Sequence, residues 1–205
     1  MRSLLIALGL IAMPIAASAT EEPTHTVIVE DGKFELRQYE DMIVAEVEIS
    51  GDMRRAGNTG FRPLAGYIFG DNTARETINM TSPVTRRKSQ KIDMTAPVTR
   101  VENGDDTWTV AFVMPSEWTM ETLPVPNNPD VSLRSEPGKM MATIRFSGRA
   151  SQSDYQEKEI ALTNWIADQD YLIAGPALYA GYSAPAVPGP FRRNEVMIPV
   201  EIRGN

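Results

Sequence analysis

Arg55, Asn58, Arg62, the pair Ala65 and Gly66, and Phe69 recur three or four residues apart, the spacing that stacks side chains along one face of an α-helix. Phe61 borders the same stripe. Small residues flanked by two guanidiniums and an aromatic ring make a shallow surface on which a flat anion could lie, because a guanidinium grips a carboxylate through parallel N–H bonds. Other chemistry has little to work with. The chain has no cysteine and one histidine, His25, so thiol nucleophiles, disulfides and thiolate metal sites are excluded. It contains no Gly-x-Ser-x-Gly segment, no His/Cys cluster and no phosphate-cradling Gly-rich loop. Its acidic residues are dispersed along polar faces, where solubility explains them. A formal net charge of −7 argues against nucleic acid and anionic membranes as partners.

The elements that must hold the stripe are legible from periodicity. Residues 52–69 carry a second, apolar face of Met53, Ala56, Gly57, Gly60, Leu64 and Ile68, with Asp52 as N-cap, which predicts a helix lying on a sheet. Alternation predicts half-buried strands at 42–50, 107–114 and 139–147. Ser153 and Gln156 have capping-box spacing for a second helix, whose Leu162, Trp165 and Ile166 face the sheet. Sliding the chain over itself by 97 residues matches Leu36-Arg37 to Leu133-Arg134, Ala45 to Ala142, Ser50-Gly51 to Ser147-Gly148 and Ile68 to Trp165. Each half reads as two strands, a tight Ser-Gly turn, a helix and further strands, a duplicated α+β domain. A shorter repeat relates residues 78–86 to 92–100 and predicts a hairpin with 87–90 as its turn, Pro83 and Pro97 sitting at an edge or bulge. The Pro-rich stretch 123–129 reads as a surface loop.

The N-terminus has the three parts of an export signal: Arg2, an apolar run over residues 4–15, and the small residues Ala17-Ser18-Ala19. Cleavage is expected after Ala19, giving a periplasmic or secreted protein. The apolar run is shorter than the roughly 20 residues needed to cross a bilayer, so no membrane association is expected after cleavage. The expected organisation is a signal peptide at 1–19, an N-terminal tail at 20–30 that is disordered over 20–26, and one domain at 31–205.

Met94-Thr95-Ala96-Pro97-Val98 after Lys91-Ile92, Ala180-Gly181-Tyr182-Ser183-Ala184-Pro185 and Arg192-Arg193-Asn194-Glu195-Val196 together resemble the signature set of the SOUL/heme-binding protein family. Phe34-Glu35-Leu36-Arg37-Gln38-Tyr39 resembles the opening strand of that family, and Phe112-Val113-Met114-Pro115 and Leu123-Pro124-Val125-Pro126 fall where similar members carry them. The resemblance implies a duplicated ββαβ-type unit forming a distorted antiparallel β-barrel with two flanking helices, and heme or porphyrin as ligand. It assigns the groove to the first helix, where Asn58, Phe61 and Gly66 stand at positions that carry Arg, Met and Lys in one branch. Arg55 and Arg62 could supply the missing cations from neighbouring turns. The fold also resembles that of effector-binding domains, so fold alone does not fix the ligand.

A heme site needs an apolar groove, cations for two propionates and, optionally, an iron ligand. Gln38 stands where another branch has His, so His-ligated heme at that position is excluded. His25 lies in the expected tail, and Met80, Met94 and Tyr39 are donors that equally suit core packing. Arg86-Arg87-Lys88 with Lys91 could meet propionates, although a hairpin tip is the ordinary place for such charges; Arg192-Arg193-Asn194-Glu195 could close the groove or fasten the last strand. The resulting expectation is a non-catalytic tetrapyrrole carrier or buffer. Its alternatives are a tetrapyrrole-modifying enzyme such as a heme dechelatase, and a binder of another hydrophobic effector. Oligomeric state is left open.

Overall fold

The computed structural model describes residues 20–75, 88–184 and 186–203. The chain runs β1 (His25–Asp31), β2 (Phe34–Tyr39), β3 (Met42–Ser50), α1 (Met53–Ile68), β4 (Asn72–Thr73), β5 (Val98–Gly104), β6 (Thr107–Val113), β7 (Val125–Pro126), β8 (Ser132–Glu136), β9 (Met140–Ser147), α2 (Gln152–Ala167), β10 (Tyr171–Ile173), β11 (Leu178–Gly181) and β12 (Arg193–Ile202). The expected leader with its cut after Ala19, the 78–86 arm with Met80 and Pro83, and Arg86, Arg87 and Pro185 lie outside the described residues.

The duplication is visible in the sheet. Its order is β1-β2-β9-β12-β11-β5-β6-β3-β8, with β10 pairing β12 off this path. Exchanging the two halves of the chain maps β2-β9-β12-β11 onto β8-β3-β6-β5, so a pseudo-two-fold axis passes between β11 and β5. Every strand pair is antiparallel, and the sheet curls into an open half-barrel with β1 and β8 at its edges. The first strand of each unit pairs with the other unit: β2 with β9, and β8 with β3. That exchange ties the halves into one sheet.

Local chemistry explains why each half turns from strand to helix at the same place. Gly51 and Gly148 sit at φ 118° and 122°, a region open to glycine and strained for other residues. Asp52 then caps α1, its Oδ1 accepting from the Arg55 N–H at 2.7 Å. For α2 the capping residue is Ser151, paired with Asp154 in a reciprocal box, rather than Ser153 with Gln156: the helix starts one residue after Ser151, which brings Asp154 to the position that reaches back. Both helices lie on the same face of the sheet. From α1, Met53, Ala56, Gly60, Leu64, Tyr67 and Ile68 are buried; from α2, Tyr155, Leu162, Trp165 and Ile166. Gly57 is only half-buried, and Tyr67 and Tyr155 join the core through phenol hydroxyls that find partners, Tyr67 donating to the Pro124 carbonyl at 2.9 Å and Tyr155 to Asn194 at 3.1 Å. At Gly60 the helix touches the sheet so closely that an added Cβ would lie 2.7 Å from Val110 Cγ2.

Three further expectations change. The Pro-rich stretch 123–129 is not a simple surface loop: Leu123 and Pro124 are buried, and Val125–Pro126 form β7 against β4. Residues 92–97 do not form a strand, and β5 begins only after Pro97. Their backbone bonds go elsewhere: the Ile92 N–H to the Ile68 carbonyl at the end of α1, and the Ala96 N–H to the Glu21 carbonyl, each at 2.8 Å. Residues 20–30, read as a tail disordered over 20–26, are in contact with the sheet. β1 pairs along β2 from His25↔Tyr39 to Asp31↔Phe34, and the segment before it crosses the open face of the sheet, where Glu22 grips Arg193 at 2.8 Å. His25 is half-buried, its ring 4.8 Å from that of Tyr39. Among the described residues no helix is long and apolar enough to cross a membrane.

Candidate functional site

The stripe of Arg55, Asn58, Arg62, Ala65, Gly66 and Phe69 lies on α1 opposite its core face. Arg55, Asn58, Arg62 and Phe69 are exposed, and Ala65 and Gly66 are half-buried. Phe69 is 59% exposed, a large apolar surface left in water. Phe61 departs from the stripe: it is half-buried and its ring packs 5.3 Å from that of Phe112, so it supports the helix on the sheet rather than offering a contact surface. Among the described residues the Arg55 and Arg62 guanidiniums have no hydrogen bond or ion pair. Arg54 stands beside Arg55 in the first turn, where the only acidic neighbour in sequence is the N-cap Asp52, whose carboxylate is turned to the Arg55 backbone N–H. The other end of the stripe has the opposite sign, since Asp71 lies beside Gly66, where an added Cβ would sit 3.8 Å from the Asp71 Cβ. A planar acid on this shelf would therefore turn its carboxylates toward Arg55 and Arg62 and its apolar edge toward Phe69.

The side of the sheet away from the helices carries a different arrangement. Glu195, on β12, is fully buried and accepts bonds from Arg37 Nη1 and Nη2 at 2.8 and 3.3 Å, from Arg193 Nη2 and Nε at 2.8 and 3.0 Å, and from the Tyr182 hydroxyl at 2.9 Å. Arg37 also binds Glu35 at 2.6 Å and the Tyr39 hydroxyl at 3.0 Å. The Arg193 guanidinium lies 3.7 Å from the centre of the Tyr182 ring. Burial opposes the charge on Glu195, but the two guanidiniums outweigh it and hold its carboxyl below the usual carboxylate range. Burial, reinforced by the negative charge of Glu195, pushes the Tyr182 phenol up. Every polar group of this cluster is already engaged, so it fastens strands rather than awaiting a ligand. Of the two roles open to Arg192-Arg193-Asn194-Glu195, the geometry gives the second.

These contacts dispose of one iron donor, because Tyr39 is buried and hydrogen-bonded. Met94 is 40% exposed but lies on the segment that leads into β5, not on the shelf. His25 Nδ1 is engaged with the Pro23 carbonyl at 3.0 Å. Among the described residues no group of three or more His, Cys, Asp or Glu could hold a metal ion.

The residues of the α1 shelf fit a tetrapyrrole in two of three respects: they offer cations for its acid groups and a flat face for its ring, but no side chain to coordinate iron. Of three cavities elsewhere, two fit it less well, and the third, of about 620 Å³ beside the chain leaving β10 and the end of β12, offers Lys139 as its only cation. A groove of about 640 Å³ beside the N-terminal segment is lined by Glu21, Glu22, Glu40, Asp41, Glu121 and Glu136, a field that repels a dianion. A cavity of about 190 Å³ on the face away from the helices is below the roughly 300 Å³ at which drug-sized pockets begin. Sequence reasoning found the Arg193 and Glu195 part of the Glu195 cluster and missed its partners Arg37, Tyr39 and Tyr182. The only sequence signal for these is that, like Arg193 and Glu195, they fall within conspicuous motifs.

Comparison with known proteins bears on both halves of the chain. The family profile of the SOUL heme-binding protein matches residues 20–89 and 85–199. Heme-binding protein 2 of Mus musculus is 30% identical over 161 residues, covering 75% of this chain and 72% of that protein. Heme-binding protein 2 of Homo sapiens is likewise 30% identical, over 162 residues with the same coverage. Among solved structures, the C-terminal domain of EcmrR superposes with a TM-score of 0.61 at 12% identity, covering 82% of this chain and 97% of that one. A hydrolase from Listeria innocua superposes with a TM-score of 0.55 at 12% identity, covering 85% and 94%. At that identity the structural likeness concerns the fold alone. The sequence likeness reaches further, and the chain belongs to the SOUL heme-binding protein family.

Proposed function

We propose that this protein binds a tetrapyrrole, heme or porphyrin, on the outward face of α1 and acts as a carrier or buffer rather than as a catalyst. Family membership supports the ligand class. The observation that carries the location is the conjunction, on one solvent-facing stripe, of two guanidiniums unpaired among the described residues and a 59% exposed phenylalanine. Charged groups free of partners keep their full capacity for an incoming carboxylate, and exposed aromatic surface gains by being covered. When bound, heme would supply its own iron chemistry; the chain's part is to orient the acid groups at Arg55 and Arg62 and to cover one face of the ring with Ala65, Gly66 and Phe69. Nothing on the stripe has the character of a nucleophile or general base, which supports a binding role. The export signal read in residues 1–19 supports a periplasmic or secreted location; N-terminal sequencing of the exported protein should begin at Thr20.

Because the stripe offers no iron ligand, metal-free protoporphyrin should bind within a few-fold of hemin. Titration with each should give a saturable shift of the Soret band. Arg62→Glu should weaken both by roughly five- to tenfold, the order expected for reversing one exposed charge, whereas Lys158→Glu on α2 should change neither. Absence of a saturable shift with either compound would overturn the ligand class, and unaltered binding by Arg62→Glu would move the site off this face.

A further inference from the structure

The face of the sheet away from the helices holds two buried apolar clusters that do not merge. One is Tyr39, Met141, Ala180 and Met197; the other is Val44, Ala111 and Val113; Met42 alone packs against both. They are counterparts across the pseudo-two-fold axis. Val44 and Met141 are 97 residues apart, and Ala111 and Met197 hold matching places opposite β3 and β9, paired with Glu46 and Thr143. In a single packed core such clusters would interdigitate, since protein interiors tolerate few voids larger than a water molecule. Here a cavity of about 190 Å³ separates them, with Val101, Leu178 and Pro199 also in its wall.

We infer that this cavity is a second ligand site, distinct from the α1 face, which takes a compact, uncharged aromatic molecule of one or two fused rings. Size sets the upper limit: apolar cavities of roughly 150 Å³ stay dry and admit benzene, so this one admits little more and excludes a macrocycle. Charge sets the class. Glu195, behind the lining residue Tyr182, is saturated by two guanidiniums and a phenol. At its rim Arg134 is bound to Glu46, and Glu136 to Arg134 and Lys139. With every charge already paired, an ionic ligand would enter an apolar space without a counter-charge, at a large desolvation cost. Methionines 42, 141 and 197 line the space, and their polarizable sulfurs pack well against aromatic rings. Access is from the rim, where the Arg134 and Lys139 side chains are 49% and 38% exposed.

The probe is 1-naphthol, compared with 1-naphthoate and 1-naphthylmethylammonium, which present the same rings with a negative or a positive charge. Calorimetric titration of the wild-type chain should show 1-naphthol binding at least tenfold more tightly than either ion. Ala111→Phe and, at a half-buried wall position, Val101→Phe fill the space and should each lower 1-naphthol affinity at least tenfold. A parallel hemin titration, expected to be unchanged in both variants, keeps this proposal separate from that for α1. Should Ala111→Phe fail to give a cooperative thermal transition, Val101→Phe carries the test alone. Absence of 1-naphthol binding, equal binding of the charged analogues, or unchanged binding by a folded filled variant would each overturn the proposal.

Discussion

Arg37 and Arg134 are the same residue written twice, 97 positions apart, in equivalent strands opposite the equivalent residues Met141 and Val44. Their surroundings have diverged. Arg37 is 3% exposed and shares the fully buried Glu195 with Arg193; Arg134 is 49% exposed and meets Glu46 and Glu136 at the rim. The difference comes from what lies over each. Beyond β2 the chain adds β1 and the segment carrying Glu22, and Tyr182 closes from the end of β11; among the described residues no strand lies beyond β8. The carboxylate has moved as well, standing on β12 at one end and on β3 at the other. A repeated sequence thus yields a buried fastening where the chain happens to cover it and a solvated ion pair where it does not.

The comparison breaks most visibly at Glu195. Glu195→Gln leaves two guanidiniums without their shared buried anion, each keeping only its more exposed acidic partner, Glu35 or Glu22, and should cost about 3–5 kcal/mol, a fall of roughly 6–20 °C in melting temperature at about 2–4 °C per kcal/mol for a chain of this size. Arg37→Met should cost somewhat less, about 3 kcal/mol, because Arg193 still faces the carboxylate. A loss under 1 kcal/mol from both variants would mean that the buried end is no stronger than the exposed one.

Acid sharpens the same contrast. The folded-state carboxyl of Glu195 is held below its ordinary range by Arg37 and Arg193 against the effect of burial, so its contribution to stability is complete above about pH 5 and is lost as pH falls through the folded value. Glu136 is also held low, burial again being outweighed, here by Lys139 and Arg134. It is partly solvated, so its share is smaller. Thermal midpoints measured from pH 6 to 3 should fall less steeply in Glu195→Gln than in wild type, while Glu136→Gln should follow wild type closely. Equal slopes in all three would contradict the difference between the ends.

Smaller effects belong to the cover and the rim. Glu22→Gln loosens the partly exposed bond to Arg193 and should cost about 1 kcal/mol, and Arg134→Met between 0 and about 1 kcal/mol, the ordinary worth of solvent-exposed pairs. Chemical denaturation of the two variants beside Arg37→Met would rank all three.

Much of this architecture was legible in the residues because it is locally encoded. The alternation of 42–50, the N-cap at Asp52 and the Ser-Gly turns are each properties of a few neighbouring positions, and all appear in the structure. What the sequence hid is the partner of each element. Identity between the halves cannot say that β2 pairs with the opposite unit, nor that Glu195 meets an arginine 158 residues away; on a strand of alternating pattern a glutamate reads as solvated until something covers it. The 92–97 segment misled for a related reason. Its alternation suits a strand, but its donors are taken by α1 and by the N-terminal segment. The α1 stripe was legible because a helix fixes its own faces, and only Phe61, at the border, turned inward.

The central claim, that a tetrapyrrole lies on the outward face of α1, is tested most directly by mapping backbone amide shifts of ¹⁵N-labelled protein on addition of diamagnetic zinc protoporphyrin. Ring-current shifts concentrated at Arg55, Asn58, Arg62, Ala65, Gly66 and Phe69, with Tyr39, Ala111 and Met197 unmoved, are the predicted result. Shifts centred on those last three residues, with α1 silent, would contradict it.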